Sequence, residues 1–196
     1  HTTIESNVAR KLKRSGSITA KADAKVVVQG KSNYGFVVSS DSYKSEFPSL
    51  DNLKITRDKA NYGIGINEGT ITVKDAENSI GFALLKGGNS KNTGTLEVTG
   101  TSSGSAAFYG EQDNFTNEGA ITVDAGGSGN TGILLNGKNA TPISFTNTGN
   151  ISVSGKGNIG LYATDKSIFS RPTGATTTDK ISVKDGATGI YVENLA

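Results

Sequence analysis

Four times in this chain Asn-x-Gly leads straight into a short alternating run: NEGTITV at 67–73, NTGTLEV at 92–98, NEGAITV at 117–123 and NTGNISV at 147–153. A fifth copy, DKISV at 179–183, keeps the run and loses the Asn-x-Gly. The final Val falls at 73, 98, 123, 153 and 183, in steps of 25, 25, 30 and 30 residues. So even a period marks a chain that winds on itself, each unit too small to bury its own apolar face. Alternation puts Ile71/Val73, Leu96/Val98, Ile121/Val123, Ile151/Val153 and Ile181/Val183 on the inner side, and Thr72, Glu97, Thr122, Ser152 and Ser182 on the outer side.

Within each step a second strand recurs, read as YGFVV from 34, YGIGI from 62, IGFAL from 80, TGILL from 131, IGLYA from 159 and TGIYV from 188. A third, weaker strand precedes Asn-x-Gly in DNFTNEG and ISFTNTG, with Phe115 and Phe145 two residues before the Asn. Three short strands per turn, cornered by Gly or Asn, predict an all-β fold: a three-sided parallel β-helix of about six or seven coils. Stacking at ~4.8 Å sets like over like. Asn67, Asn92, Asn117 and Asn147 are then expected to form a corner ladder through their amides. Gly69, Gly94, Gly119 and Gly149 are expected to take corner dihedrals denied to larger residues.

The chain reads as one β-helical unit over 1–196, regular over 55–196 and irregular over 1–54. SGSITA at 15–20 and KVVVQG at 25–30 read as early strands, and 39–52 as a surface excursion. LKITRDKANYGIGI, from Leu53, reads as a short coil of 18 residues, from Ile55 to Val73.

Composition narrows the chemistry. The chain has 26 Gly, 3 Pro and no Cys, which fits a turn-rich β protein and excludes disulfides, thiolate catalysis and Cys-based zinc sites. Basic and acidic residues, 20 against 18, are scattered along the chain, so no nucleic-acid partner is expected. The dense cluster ARKLKR at 9–14 reads as a solvated segment. There is no apolar run of membrane-spanning length, and direct membrane insertion is not expected.

Two motifs invite a ligand and are better explained by the repeat. Gly155, Gly157 and Gly160 spell GxGxxG after a strand, but LYATDKSIFS follows where a dinucleotide site needs a helix. GGSGNTGIL at 126–134 resembles a calcium-binding nonapeptide with Thr131 in place of the essential Asp. His1 is the only His, so Ser-His-Asp chemistry has no base in the body of the chain. Asp75 and Asp185 follow equivalent strands four coils apart, too far to act as a pair. No catalytic residue, cofactor or metal is expected. NFT at 114 and NAT at 139 match glycosylation acceptors and read as ordinary turn sequence.

Runs of NxG(T/N/A)I(T/S)V followed by GI(Y/L) strands, with no Cys, resemble passenger domains of autotransporters, the self-exported surface proteins of Gram-negative bacteria. The resemblance covers about residues 55–196. It implies a right-handed parallel β-helix, export across the outer membrane to the cell surface, and adhesion to a host-cell or bacterial surface protein or glycan. Toxin passengers are a minority of that family. It also implies a longer passenger and a translocator barrel beyond this stretch. A carbohydrate-active β-helix, a polysaccharide lyase or hydrolase, is the alternative from the enzyme class. One surface stands out for binding. With Phe36, Ile64, Phe82, Ile133, Leu161 and Ile190 inward, the outward neighbours are Val37, Gly65, Ala83, Leu134, Tyr162 and Tyr191. Leu134, Tyr162 and Tyr191 are the expected partner-binding residues on that apolar stripe.

Overall fold

The computed structural model describes residues 2–4, 8–11, 17–39, 64–86, 90–111, 113–137, 143–165, 167–170 and 181–193. All of its regular elements in these residues are strands, and all pair in parallel in three sheets. The first sheet holds β1 (Thr2–Ile4), β4 (Lys25–Lys31), β7 (Thr70–Glu77), β10 (Thr95–Gly100), β13 (Ala120–Ala125), β16 (Asn150–Ser154) and β19 (Ile181–Val183). The second holds β2 (Val8–Lys11), β5 (Tyr34–Ser39), β8 (Ile80–Lys86), β11 (Ala106–Gly110), β14 (Thr131–Gly137), β17 (Ile159–Asp165) and β20 (Thr188–Glu193). The third holds β3 (Ser17–Ala20), β6 (Ile64–Asn67), β9 (Ser90–Asn92), β12 (Asp113–Asn117), β15 (Ile143–Asn147) and β18 (Ile168–Ser170). The chain is a three-sided β-solenoid, as the repeat predicts.

Register is what the periodicity demands. Val73, Val98, Val123, Val153 and Val183 lie one over another, as do Ile71, Leu96, Ile121, Ile151 and Ile181. They point into a core shared by the three sheets and filled by rings. Phe36, Phe82 and Phe108 follow one another in the second sheet with edge-on contacts, centroids 5.9 and 5.6 Å apart. Phe108 lies flat on Phe115 of the third sheet, centroids 3.6 Å apart and planes within 11°, and so ties two walls together. In the last described coil Ile181 packs on the core, and Val183 is 44% exposed.

The Asn residues make the corner between the third and first sheets. Asn67 donates to Asn92 Oδ1, Asn92 to Asn117 Oδ1 and Asn117 to Asn147 Oδ1, each at 2.7 Å. Each amide also donates to the carbonyl two residues on, that of Gly69, Gly94, Gly119 or Gly149, at 2.7–3.3 Å. One short side chain therefore shapes its own corner and joins its coil to the next. Asn67 Oδ1, at the head of the ladder, is buried and has no hydrogen-bond partner among the described residues, because Ala20 occupies the matching position of the coil before. Ala20→Asn supplies the missing donor. It is expected to raise stability by about 1 kcal/mol, or about 3 °C in melting temperature. A melt followed by circular dichroism checks this, and an unchanged or lowered midpoint contradicts it.

A second buried ladder, not foreseen from the sequence, runs along the corner between the first and second sheets. Asn33, Ser79, Ser105, Asn130 and Asn158 each stand just before a strand of the second sheet, and all are buried. The backbone N–H of each of the first four donates to the side-chain oxygen of the next, at 3.0–3.1 Å.

Four expectations are corrected. YGIGI does not belong to the second sheet: Ile64–Asn67 is β6 of the third, because the strand ends on the Asn that opens the corner. The place in the series belongs to Ala106–Gly110, where Ala106-Ala107 stands in for the usual residue-Gly pair. The coil before Val73 does not start at Ile55, since Val28 is the residue paired with Val73, 45 positions earlier. Ile55 and residues 40–52 of the expected excursion lie outside the described residues, whereas Ser39 belongs to β5. Finally, the corner glycines 69, 94, 119 and 149 have no positive φ. They are glycine because a Cβ there would lie 2.0–2.4 Å from a carbonyl oxygen of the preceding coil.

Candidate functional site

Outward side chains of the second sheet form one continuous row. Pairing sets Val37 over Ala83, Ala83 over Tyr109, Tyr109 over Leu134, Leu134 over Tyr162 and Tyr162 over Tyr191. Leu134, Tyr162 and Tyr191, which periodicity places on one stripe, are thus direct neighbours. Gly65 lies in the third sheet and drops out of the row, and Tyr109 takes its place.

The row is not open along its length. Val37, Ala83 and Tyr109 are buried, and with Tyr34, Ile80, Leu85 and Ala106 they form an apolar cluster separate from the core, against which Leu134 packs. Exposure begins beyond it: Leu134 and Tyr162 are half-buried and Tyr191 is 44% exposed. Among the described residues the exposed part of the row thus runs from Leu134 to Tyr191.

There the two tyrosines make an angled pair, with ring centroids 5.2 Å apart and planes at 68°. Glu193, two residues past Tyr191 and on the same side of β20, holds both phenols. Tyr162 Oη donates to its Oε1, and Tyr191 Oη to its Oε2 at 3.3 Å. Sequence reading missed Glu193, although its spacing of two from Tyr191 puts it on the outer face. It also missed the buried counterpart in β11, where Tyr109 Oη donates to Glu111 Oε1 at 2.7 Å. Tyr-x-Glu thus occurs twice in one register, once buried and once open.

On the other outer faces several polar groups satisfy one another. On the first sheet Thr72 donates to Glu97 Oε1 at 2.6 Å, and Ser154 to Asp124 Oδ1 at 2.7 Å. On the third, Lys91 pairs with Glu118 at 2.6 Å. A corner notch of about 360 Å³ is lined by Lys31, Asp75, Glu77, Thr101 and Ser103. Its charges are also engaged: Lys31 meets Glu77 at 2.8 Å, and Asp75 Oδ1 accepts from Thr101 N at 3.0 Å.

The suspected ligand motifs resolve into corners. Gly155 and Gly157, at φ 91° and 81°, turn the chain from β16 into β17, a strand, and Gly160 lies within that strand. Asp75 and Asp185 adopt the left-handed region at φ 50° and 53°, a conformation Asp tolerates; Asp75 lies inside β7, and Asp185 stands two residues past β19. Thr131 opens β14 with its side chain buried. Asn114 is exposed on β12, and Asn139 lies outside the described residues. Compared with family models, with curated proteins and with solved structures, the chain matches none of them.

Proposed function

We propose that this chain is part of a bacterial cell-surface adhesin of the autotransporter type, exported across the outer membrane, in which a stiff β-solenoid holds one binding strip away from the cell. The observation that carries the reading is the row on the second sheet: apolar and covered from Val37 to Tyr109, then continuing in register to an open Tyr162–Tyr191 pair. Partly exposed tyrosines on a rigid backbone give large contact area for little loss of rotamer freedom, which is why such residues dominate binding hot spots. Parallel stacking with side-chain ladders along two corners supplies the rigidity.

The test is binding of the purified chain to host cells, bacterial cells or extracellular matrix. Tyr191→Ser combined with Tyr162→Ser is expected to weaken binding at least tenfold, about 1.4 kcal/mol, with the β-sheet circular dichroism unchanged. Binding that survives the double substitution removes the strip from the proposal, and absence of binding to every surface removes adhesion.

A further inference from the structure

The exposed part of the row carries one carboxylate at the phenol ends of two tyrosines. Glu193 is half-buried, and its hydrogen bonds come from the phenols of Tyr162 and Tyr191. Among the described residues the ion pairs involve Glu68, Glu77 and Glu118, each with a lysine, and none involves Glu193. An ionised carboxylate offers about four lone-pair sites, and two phenols occupy two of them. The two rings beside it meet edge to face, with planes at 68° to one another.

From this geometry we infer that Tyr162, Tyr191 and Glu193 form a cation-binding corner that receives an arginine or lysine side chain of a partner protein. This deepens the adhesin reading and rests on it. The face of an aromatic ring is the negative end of its quadrupole, so the exposed Tyr191 ring attracts a guanidinium or ammonium group. The carboxylate adds a full negative charge and two acceptors, which match the fork of a guanidinium. A neutral sugar would use the acceptors and gain nothing from the charge, and an anionic glycan would be repelled. The buried Tyr109–Glu111 pair shows that the same phenol–carboxylate bond persists when this register is fully covered, so docking a partner over Glu193 need not break it.

The experiment titrates the purified chain with tetra-arginine, tetraglutamate and a neutral hexose oligomer, following backbone amide shifts by NMR. Tetra-arginine is expected to bind saturably, to shift residues of β17 and β20, and to weaken as salt is raised. Glu193→Gln and Tyr191→Ser are each expected to weaken it at least tenfold. Glu97→Gln, on the outer face of the first sheet, is expected to leave it unchanged. Equal affinity in Glu193→Gln, shifts spread over unrelated carboxylates, or a response to the hexose oligomer alone would each overturn the cation site. Cell binding by the parent chain that persists undiminished in Glu193→Gln overturns the cation site and leaves adhesion standing. Arginine binding at β17 and β20 without cell binding supports the site and counts against adhesion.

Discussion

Gly119→Ala is expected to break the stack at its middle, lowering stability by about 4 kcal/mol and the melting temperature by about 10 °C or more. The added Cβ would stand 2.0 Å from Gly94 O, 2.7 Å from Thr93 C and 2.9 Å from Gly94 N. These are backbone atoms, so no side-chain rotation relieves the overlap, and the coils must separate locally. Separation costs the bonds that cross this corner: Glu118 N and Gly119 N to Asn92 O at 2.8 and 3.1 Å, and Ala120 N to Gly94 O at 2.9 Å. It also pulls Asn92 away from Asn117, whose amide bond is 2.7 Å long. Gly129→Ala is the control. There φ is +74° and the nearest atom to a Cβ is 3.7 Å away, so only backbone strain of about 1–2 kcal/mol is paid. If both substitutions shift the thermal midpoint equally, close approach between coils is not the reason for glycine at 119.

The corner glycines also show how far sequence carries. Their spacing was readable, because each follows an Asn by two and precedes an alternating strand. Their cause was not, since φ and the distance to a neighbouring coil are properties of the stack. The first ladder was legible for the same reason as the repeat: one residue type, Asn, recurs at 67, 92, 117 and 147. The second escaped because its members are Asn at some coils and Ser at others, and because the corner before them varies in length, two residues ahead of Tyr34 and Ile80 but five ahead of Ala106 and Thr131. Either side chain can bring an oxygen to a backbone N–H, so chemistry is kept while the letter changes.

Misreading YGIGI shows the limit of matching short apolar patterns. The Tyr-Gly-apolar start of YGIGI matches YGFVV of the second sheet, and only the Asn-x-Gly directly after Ile66 identifies the third. At the candidate site, period-two logic was enough to align Leu134, Tyr162 and Tyr191. What it cannot supply is coverage. The outer positions Val37 and Ala83 are as buried as core residues, which depends on contacts far along the chain. Nor can it show that phenols from two coils converge on one carboxylate, which depends on side-chain rotamers.

Asn117→Ala is the second substitution expected to act strongly, lowering stability by about 3 kcal/mol. Asn117 is fully buried and makes three amide contacts: it accepts from Asn92 at 2.7 Å and donates to Asn147 at 2.7 Å and to Gly119 O at 3.1 Å. Truncation removes all three, strips Asn147 Oδ1 of this donor, and leaves Asn92 Nδ2 with only its longer bond to Gly94 O at 3.3 Å. Burial makes these losses count, because no bulk water replaces the missing partner. Position within the ladder then becomes measurable. Asn147→Ala loses one inter-coil bond among the described residues, that from Asn117, so it is expected to cost about half as much. Asn92→Ala with Asn117→Ala shares the bond between them, so the double substitution should cost about 1 kcal/mol less than the two singles together. Full additivity in urea melts of the four proteins would mean that the amides act separately, each shaping its own corner, and that the ladder does not couple one coil to the next.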